Sequence, residues 1–223
     1  MSKNPLRLLW IPFLLIAILG CPGKGGQTVQ TPALNFQFYS YNGLRMVHSP
    51  GNEALVTYRM LFAGGAENYP ENLQGIEKLA LQTMILGAPE GKTRTEYLGE
   101  LNKIGAALDM EIHPDFSALS LVCPRESWKK GFELFAGLIQ HPQFTPENFA
   151  TAQKQAILEA QRTARDPDRA LWEKGLEVAF AGKAYAKHPG GTEATLSRLS
   201  FEKTQEYYRE FLLQKCRIAL IWA

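Results

Sequence analysis

Histidine and cysteine, two residue types that commonly bind transition metals, are scarce in this sequence. Only four histidines and three cysteines occur among 223 residues. The histidines (His48, His113, His141 and His188) are widely separated, so no two stand one helical turn apart. The sequence also lacks a glycine-rich phosphate loop, a nucleophile-elbow motif and a Cys-His pair at an interpretable spacing. A metal centre built from these residues is therefore not expected.

Excess charge of either sign is missing as well. The formal net charge is +2, and Lys3 and Arg7 near the N-terminus account for it. No basic stripe interleaved with aromatic residues is present, so nucleic acid is not an expected partner. Hydrophobic residues make up 45% of the chain and charged residues 21%. These proportions predict a globular protein with a sizeable core.

The N-terminal apolar run is too short to span a bilayer comfortably. Leu8–Leu19 is uncharged and follows Lys3 and Arg7, an order typical of a secretory signal peptide. Ile18-Leu19-Gly20-Cys21 comes next and resembles a bacterial lipobox, in which the cysteine thiol takes a diacylglycerol before cleavage. Leucine is the commoner residue at the position of Ile18.

The lipobox predicts a signal peptide at 1–20, a lipid on Cys21 and a flexible tether at 21–33 that is rich in glycine. The alternative is an ordinary signal peptide or an uncleaved anchor in which Cys21 is incidental. An exported protein can form disulfides, so Cys123 and Cys216 could pair. Each lies in an apolar, strand-like run, which favours two buried thiols instead.

Strand and helix patterns occur in blocks rather than in strict alternation. Alternating apolar residues and turn signals predict strands at 36–41, 44–48, 54–62, 107–113, 117–123 and 216–222. Helical spacing predicts helices at 73–86, 95–104, 126–140, 147–165, 168–181 and 200–213. This order indicates an α+β domain over 34–223, with helices packed on a mainly antiparallel sheet.

The last predicted strand, Cys216–Trp222, is apolar and ends the chain without a turn. Either the domain ends abruptly there or a longer protein has been cut. We expect this strand at a sheet edge, where an exposed apolar segment would promote association with other chains.

Several short motifs follow one another in a recognisable order. They are Asn42-Gly43-Leu44-Arg45, the glycine-rich turn Phe62–Glu67, the glycines Gly75 and Gly87 around a buried helix, His141-Pro-Gln-Phe144, and His188-Pro-Gly-Gly191. From about Phe36 to the end, this order resembles the N-terminal domain of the pitrilysin/insulinase family of metallopeptidases. Mitochondrial processing peptidase belongs to that family. The resemblance implies the family's α+β fold.

Active members of the family carry H-x-x-E-H on this helix, with two zinc-binding histidines and a catalytic glutamate. The resemblance places the histidines at Lys78 and Gln82 and the glutamate at Leu81. Lysine offers an ammonium that repels a cation, glutamine offers a weak amide oxygen, and leucine cannot accept a proton.

The third zinc ligand of active members is a glutamate on a later helix. The resemblance places it at Ala160 and an assisting glutamate at Gln153, while Glu159 is expected to face away. A one-residue shift of the alignment would instead put Glu159 in the ligand position. Lys78 could hold the two helices together by pairing with Glu77 or Glu159, or it could be solvated.

The resemblance, with the metal ligands replaced, implies a non-peptidase member without a zinc cofactor. The lipobox predicts that it is lipid-anchored in the cell envelope and faces the periplasm or exterior. Its expected partners are a peptide, the membrane through its lipid, and an active zinc-bearing subunit in a heterodimer. It would then serve as a structural or peptide-binding subunit. Two alternatives remain open, namely a zinc metalloendopeptidase with an atypical site and a non-functional gene fragment.

Overall fold

The computed structural model describes residues 36–41, 44–51, 53–214 and 217–222. The predicted signal peptide, Cys21, the tether and Cys216 lie outside these residues. The predicted boundaries of the domain, 34–223, also fall outside them and stay predictions.

Six strands of the described part of the chain form one mixed sheet. They are β1 (Gln37–Tyr41), β2 (Leu44–Ser49), β3 (Leu55–Phe62), β4 (Ala107–Ile112), β5 (Ser117–Pro124) and β6 (Arg217–Trp222). Their order across the sheet is β1-β2-β6-β3-β5-β4. Only the β2–β6 pair is parallel, and the other four pairs are antiparallel. The predicted mainly antiparallel sheet is confirmed.

Seven α-helices occur among the described residues. They are α1 (Ile76–Leu86), α2 (Arg94–Lys103), α3 (Trp128–Gln140), α4 (Pro146–Arg165), α5 (Pro167–Ala179), α6 (Glu193–Leu196) and α7 (Phe201–Glu206). Together with the sheet they give the predicted α+β class.

One face of the sheet carries the core. Along β3 the side chains of Val56, Tyr58 and Phe62 are buried, and the residues between Val56 and Phe62 on the other face are not. This period of two places the buried set on a single face. Tyr58 donates a hydrogen bond from its hydroxyl to the Trp128 carbonyl at the start of α3, 2.8 Å away, and its ring lies 6.3 Å from that of Phe135. Helix α3 is therefore held directly against the sheet.

The helix starts follow local chemistry. Thr93 forms a capping box with Glu96 at the start of α2, and the Thr145 hydroxyl accepts the Asn148 N–H in front of Pro146 in α4. Both helices begin one residue before their predicted starts at 95 and 147. Helix α1 begins at Ile76, three residues later than expected, because Gly75 has a φ of 87° and interrupts the helical backbone.

The expected edge position of the last strand is wrong. β6 lies between β2 and β3, with Ala219 opposite Met46 on one side and Met60 on the other. In the interior of the sheet, the backbone N–H and C=O groups on both sides of an apolar strand find hydrogen-bond partners. Among the described strands, the edges are β1 and β4.

The last predicted helix is also shorter than expected. The α-helical part ends at Glu206, and Tyr207–Leu212 continues as a π-helical segment. Tyr207 and Tyr208 are both buried, and their hydroxyls donate to different partners, Glu77 and the Ile139 carbonyl. The wider turn accompanies two adjacent tyrosines that both point inward.

Cys123 is a buried free thiol on β5, as its apolar run predicted. Burial raises the pKa of this thiol, with a smaller contribution from Glu126. None of the described helices is both long and apolar enough to cross a bilayer.

Candidate functional site

The N-terminal half of α1 is buried on all sides. Gly75 precedes it, and a Cβ at that position would lie 2.6 Å from Leu196 and 2.9 Å from the Cα of Gly191. Gly191 itself has a φ of 78°. Two glycines therefore let the 188–191 loop pack directly against the start of α1. This contact brings the loop to the same end of the helix as Lys78.

Lys78 forms an ion pair across the α1–α4 interface. Its Nζ lies 2.7 Å from Glu159 Oε2, and the exposed fractions of the two side chains are 11% and 60%. The expectation that Glu159 faces away is therefore wrong, and so are the pairing of Lys78 with Glu77 and a solvated Lys78. The hypothesis that Lys78 holds the two helices together through Glu159 is confirmed.

A second polar contact lies one turn further along α1. Gln82 donates from Nε2 to Gln155 Oε1 at 2.9 Å. Lys78 and Gln82 are four residues apart, as are Gln155 and Glu159, so each pair lies on one face of its helix. The two contacts run in opposite directions along the helices, which makes α1 and α4 antiparallel here. The side-chain oxygen of Gln82, Oε1, is buried without a hydrogen-bond partner.

The other three predicted site positions do not join these contacts. Leu81 is completely buried in the core. Gln153 donates to the carbonyl oxygens of Leu196 and Leu199, at 2.8 and 3.0 Å. Ala160 is half-buried against the core. The assignment of the third ligand to Ala160 stays a prediction, and the position of Glu159 opposite Lys78 favours the shifted alignment.

A buried carboxylate stands beside the ion pair. Glu77 is 1% exposed and accepts hydrogen bonds from the Gly65 N–H at 2.9 Å, from the Tyr207 hydroxyl at 2.8 Å and from the Ser117 hydroxyl. Burial raises the pKa of Tyr207 far above its usual range, and the neighbouring Glu77 raises it further. Glu77 thus ties α1 to the glycine-rich turn, to β5 and to the π-helical segment.

The histidines make contacts of their own. His188 Nε2 lies 2.5 Å from Glu173 Oε1 on α5. The backbone N–H of His188 donates a hydrogen bond to Gln74 Oε1 at 2.9 Å. His113 stacks on Phe116 with ring centroids 4.4 Å apart. These contacts agree with structural roles in loops and beside the sheet.

The residues at the α1–α4 interface do not fit a zinc ion. Lys78 is an ammonium already paired with Glu159, and Gln82 shares its amide with Gln155. Among the described residues, no group of three His, Cys, Asp or Glu side chains lies close enough to hold a metal. The interface can hold two helices together, but it offers no imidazole or thiolate ligand.

Sequence reasoning missed Gln155 and the full set of contacts around Glu77. The i,i+4 spacing of Gln155 and Glu159 matches that of Lys78 and Gln82, and this match could have indicated the paired contacts. The bonds of Glu77 to Ser117 and Tyr207 join residues 40 and 130 positions apart, so no local pattern indicates them.

This sheet, with α1 packed against α4, has the fold class that the family resemblance predicted. A family model, Insulinase (Peptidase family M16), matches residues 46–193. The chain therefore belongs to the insulinase family.

Solved structures share the fold at low sequence identity. The inactive domain of a peptidase of family M16 from Pseudomonas fluorescens has a TM-score of 0.76 and 16% identity, over 85% of this chain and 46% of that one. A protease from Helicobacter pylori has a TM-score of 0.77, also with 16% identity and the same coverages. The chain thus spans about half the length of these structures. No curated protein matches the chain significantly.

Proposed function

We propose that this chain is a non-catalytic, lipid-anchored member of the insulinase family that binds peptides as the partner of an active zinc peptidase. The observation that carries the proposal is the Lys78–Glu159 ion pair of 2.7 Å. It occupies the helix face where the family resemblance puts the first zinc-binding histidine. An ammonium there repels a metal ion, and Leu81 supplies no general base beside it.

Peptide binding is supported by an edge strand that packs against α1. β4 lies at the end of the sheet with β5 on one side only, and α1 contacts it. An extended peptide can add to such an edge through its main chain, with side chains of the strand setting preference. Asp109 is exposed on β4, whereas Glu111 is already bound to Arg59. We therefore expect a preference for extended peptides that carry a basic residue opposite Asp109.

Lipid anchoring rests on the lipobox-like residues that end at Cys21, and partnership rests on the family. These parts of the proposal place the protein in the cell envelope beside an active relative. A peptide bound at β4 would be retained without being cut. Cleavage would fall to the zinc-bearing subunit.

Metal analysis and peptide cleavage test the loss of catalysis. After extensive dialysis the purified chain should hold no stoichiometric zinc, and any cleavage of unstructured peptides should be insensitive to chelators. One equivalent of tightly bound zinc together with chelator-sensitive cleavage would contradict the proposal.

A reconstructed site provides the matched control. Lys78→His, Leu81→Glu and Gln82→His together should recover zinc binding if Glu159 occupies the ligand position. If Ala160 occupies it, recovery should require Ala160→Glu as a fourth change and should survive Glu159→Gln. Failure of both folded variants to bind zinc would show that the helix face has been misassigned.

A further inference from the structure

One end of the sheet carries exposed tryptophan and leucine side chains. Trp222, the last residue of β6, pairs with Thr57 near the start of β3. Leu55 begins β3 opposite Pro124, the last residue of β5, and Trp128 begins α3 a few residues later. Leu55, Trp128 and Trp222 are between 40% and 52% exposed. We refer to the end of the sheet with these three residues as the aromatic end. Grouped apolar side chains of this size are typical of a contact surface.

The chain enters the domain at the aromatic end. Gln37 at the start of β1 pairs with His48, which pairs with Ile221 next to the end of β6. Two strand spacings separate β1 from β6, a distance of about 10 Å. Phe36 follows Cys21 by 15 positions. If the glycine-rich tether is flexible, as its composition predicts, its mean end-to-end distance is about 20 Å. A lipid on Cys21 therefore holds the aromatic end near the bilayer.

The charges at the aromatic end suit a phospholipid surface. Lys129 is exposed, and its Nζ lies 5.6 Å from the centre of the Trp128 ring. Two exposed carboxylates, Glu53 and Glu126, lie at the same end. They are outnumbered by three cations that have no ion pair with any described carboxylate, namely Lys103, Arg125 and Lys129. Tryptophan beside lysine is typical of the membrane interface, whereas lysine is depleted from protein–protein interfaces.

We propose that the aromatic end docks on the phospholipid bilayer that holds the lipid of Cys21. This inference rests on the lipid anchor of the proposed function. Once the lipid is inserted, the tether keeps the domain at a high effective concentration beside the surface. A few interfacial side chains then suffice to fix which end of the domain faces the bilayer.

Docking directs the start of α1 away from the membrane. Glu77 accepts a hydrogen bond from Ser117, and Ser117 pairs with Phe62 at the far end of β3. Strand β3 has eight residues, so its two ends are about 26 Å apart. The first turn of α1, which includes Lys78, therefore lies on the side of the domain that faces solvent, where a peptide has free access.

Quenching of tryptophan emission by lipids with brominated acyl chains tests this orientation on the full-length chain in phospholipid vesicles. Every variant carries Trp10→Phe, so a retained signal peptide adds no emission. Trp172→Phe leaves Trp128 and Trp222, whose emission should fall about twofold, because interfacial rings reach the brominated chains. Trp128→Phe with Trp222→Phe leaves Trp172, which is 70% exposed and shares a groove with Pro114 at the opposite end of the sheet. Its emission should not change.

A charge at the aromatic end provides the second test. Leu55→Glu in the Trp172→Phe background should remove most of the quenching, because a carboxylate resists transfer into the interface. Leu171→Glu, at a more exposed leucine on α5, is the matched control and should leave the quenching unchanged.

The outcomes separate docking from anchoring. An anchored chain in which Trp172 is quenched as strongly as the other pair, or in which Leu55→Glu has no effect, overturns docking alone. Reporters that stay unquenched in vesicles but shift their emission to the blue in native membranes also overturn it, and assign the aromatic end to a protein partner. A chain that does not remain with the vesicles overturns the lipid anchor and docking together.

Discussion

Lys78 and Glu159 form one ion pair but have very different surroundings. The lysine side chain is 11% exposed, whereas the carboxylate partner is 60% exposed. Lys78 has therefore lost most of its hydration, and Glu159 has kept much of its own. Removing one partner or the other leaves two unequal defects, because a buried charge without a partner costs more than an exposed one.

We expect Glu159→Gln to destabilise the protein by about 1–2 kcal/mol, because it leaves the buried ammonium with a neutral partner. Lys78→Met should change stability by less than about 1 kcal/mol, because the stem packs as before and Glu159 returns to water. Urea denaturation of both variants measures the difference. Equal losses would show that the pair is not asymmetric.

This asymmetry could not be predicted from sequence. The family resemblance placed a histidine of active relatives at Lys78, and the sequence named Glu159 as one of two possible partners of this lysine. Sequence patterns could not decide between Glu77, the neighbour of Lys78 on α1, and Glu159 on α4. In the structure, the Glu77 carboxylate already accepts hydrogen bonds from three donors. Lys78 pairs with Glu159 instead.

Strand β6 lies between two strands that precede it in the chain by a long sequence separation. Its backbone pairs in parallel with β2 and antiparallel with β3. The first hairpin, β1–β2, joins the sheet only through β6. Local patterns predicted every strand, since alternation and turn residues are local signals. The insertion of β6 between two earlier strands depends on contacts of long sequence separation, and local patterns do not contain them.

Proline substitution should distinguish an interior strand from an edge strand. Ala219→Pro removes a backbone donor and strains a strand with partners on both sides, so we expect a loss of about 3 kcal/mol or more. Ser40→Pro on the edge strand β1 is the matched control, and a clearly smaller loss is expected there. Thermal unfolding followed by circular dichroism provides the comparison. Similar losses at both positions would contradict the interior placement of β6.

For the complete chain, the prediction that matters most concerns Cys21, which lies outside the described residues. If Cys21 carries lipid, Cys21→Ala should release the protein from membranes or leave it unprocessed, because acyl chains supply the anchoring energy. Fractionation and gel mobility measure both effects. Cys123→Ala, a change at a buried thiol, is the control and should leave fractionation unchanged. A Cys21→Ala protein with the same fractionation and gel mobility as wild type would contradict the lipobox interpretation.

The position of β6 also bears on the time course of folding. Each β2 residue that pairs with β6 is synthesised 173 positions before its partner, as Arg45 is before Ile218. Until β6 arrives, the β1–β2 hairpin and the β3–β5–β4 group are separate pieces, each with an unpaired strand edge. Such a high sequence separation slows folding and prolongs the exposure of those edges. If the chain crosses a membrane in an extended form, as the predicted signal peptide implies, its sheet is complete only after β6 emerges, and until then the chain would be a natural client for a chaperone.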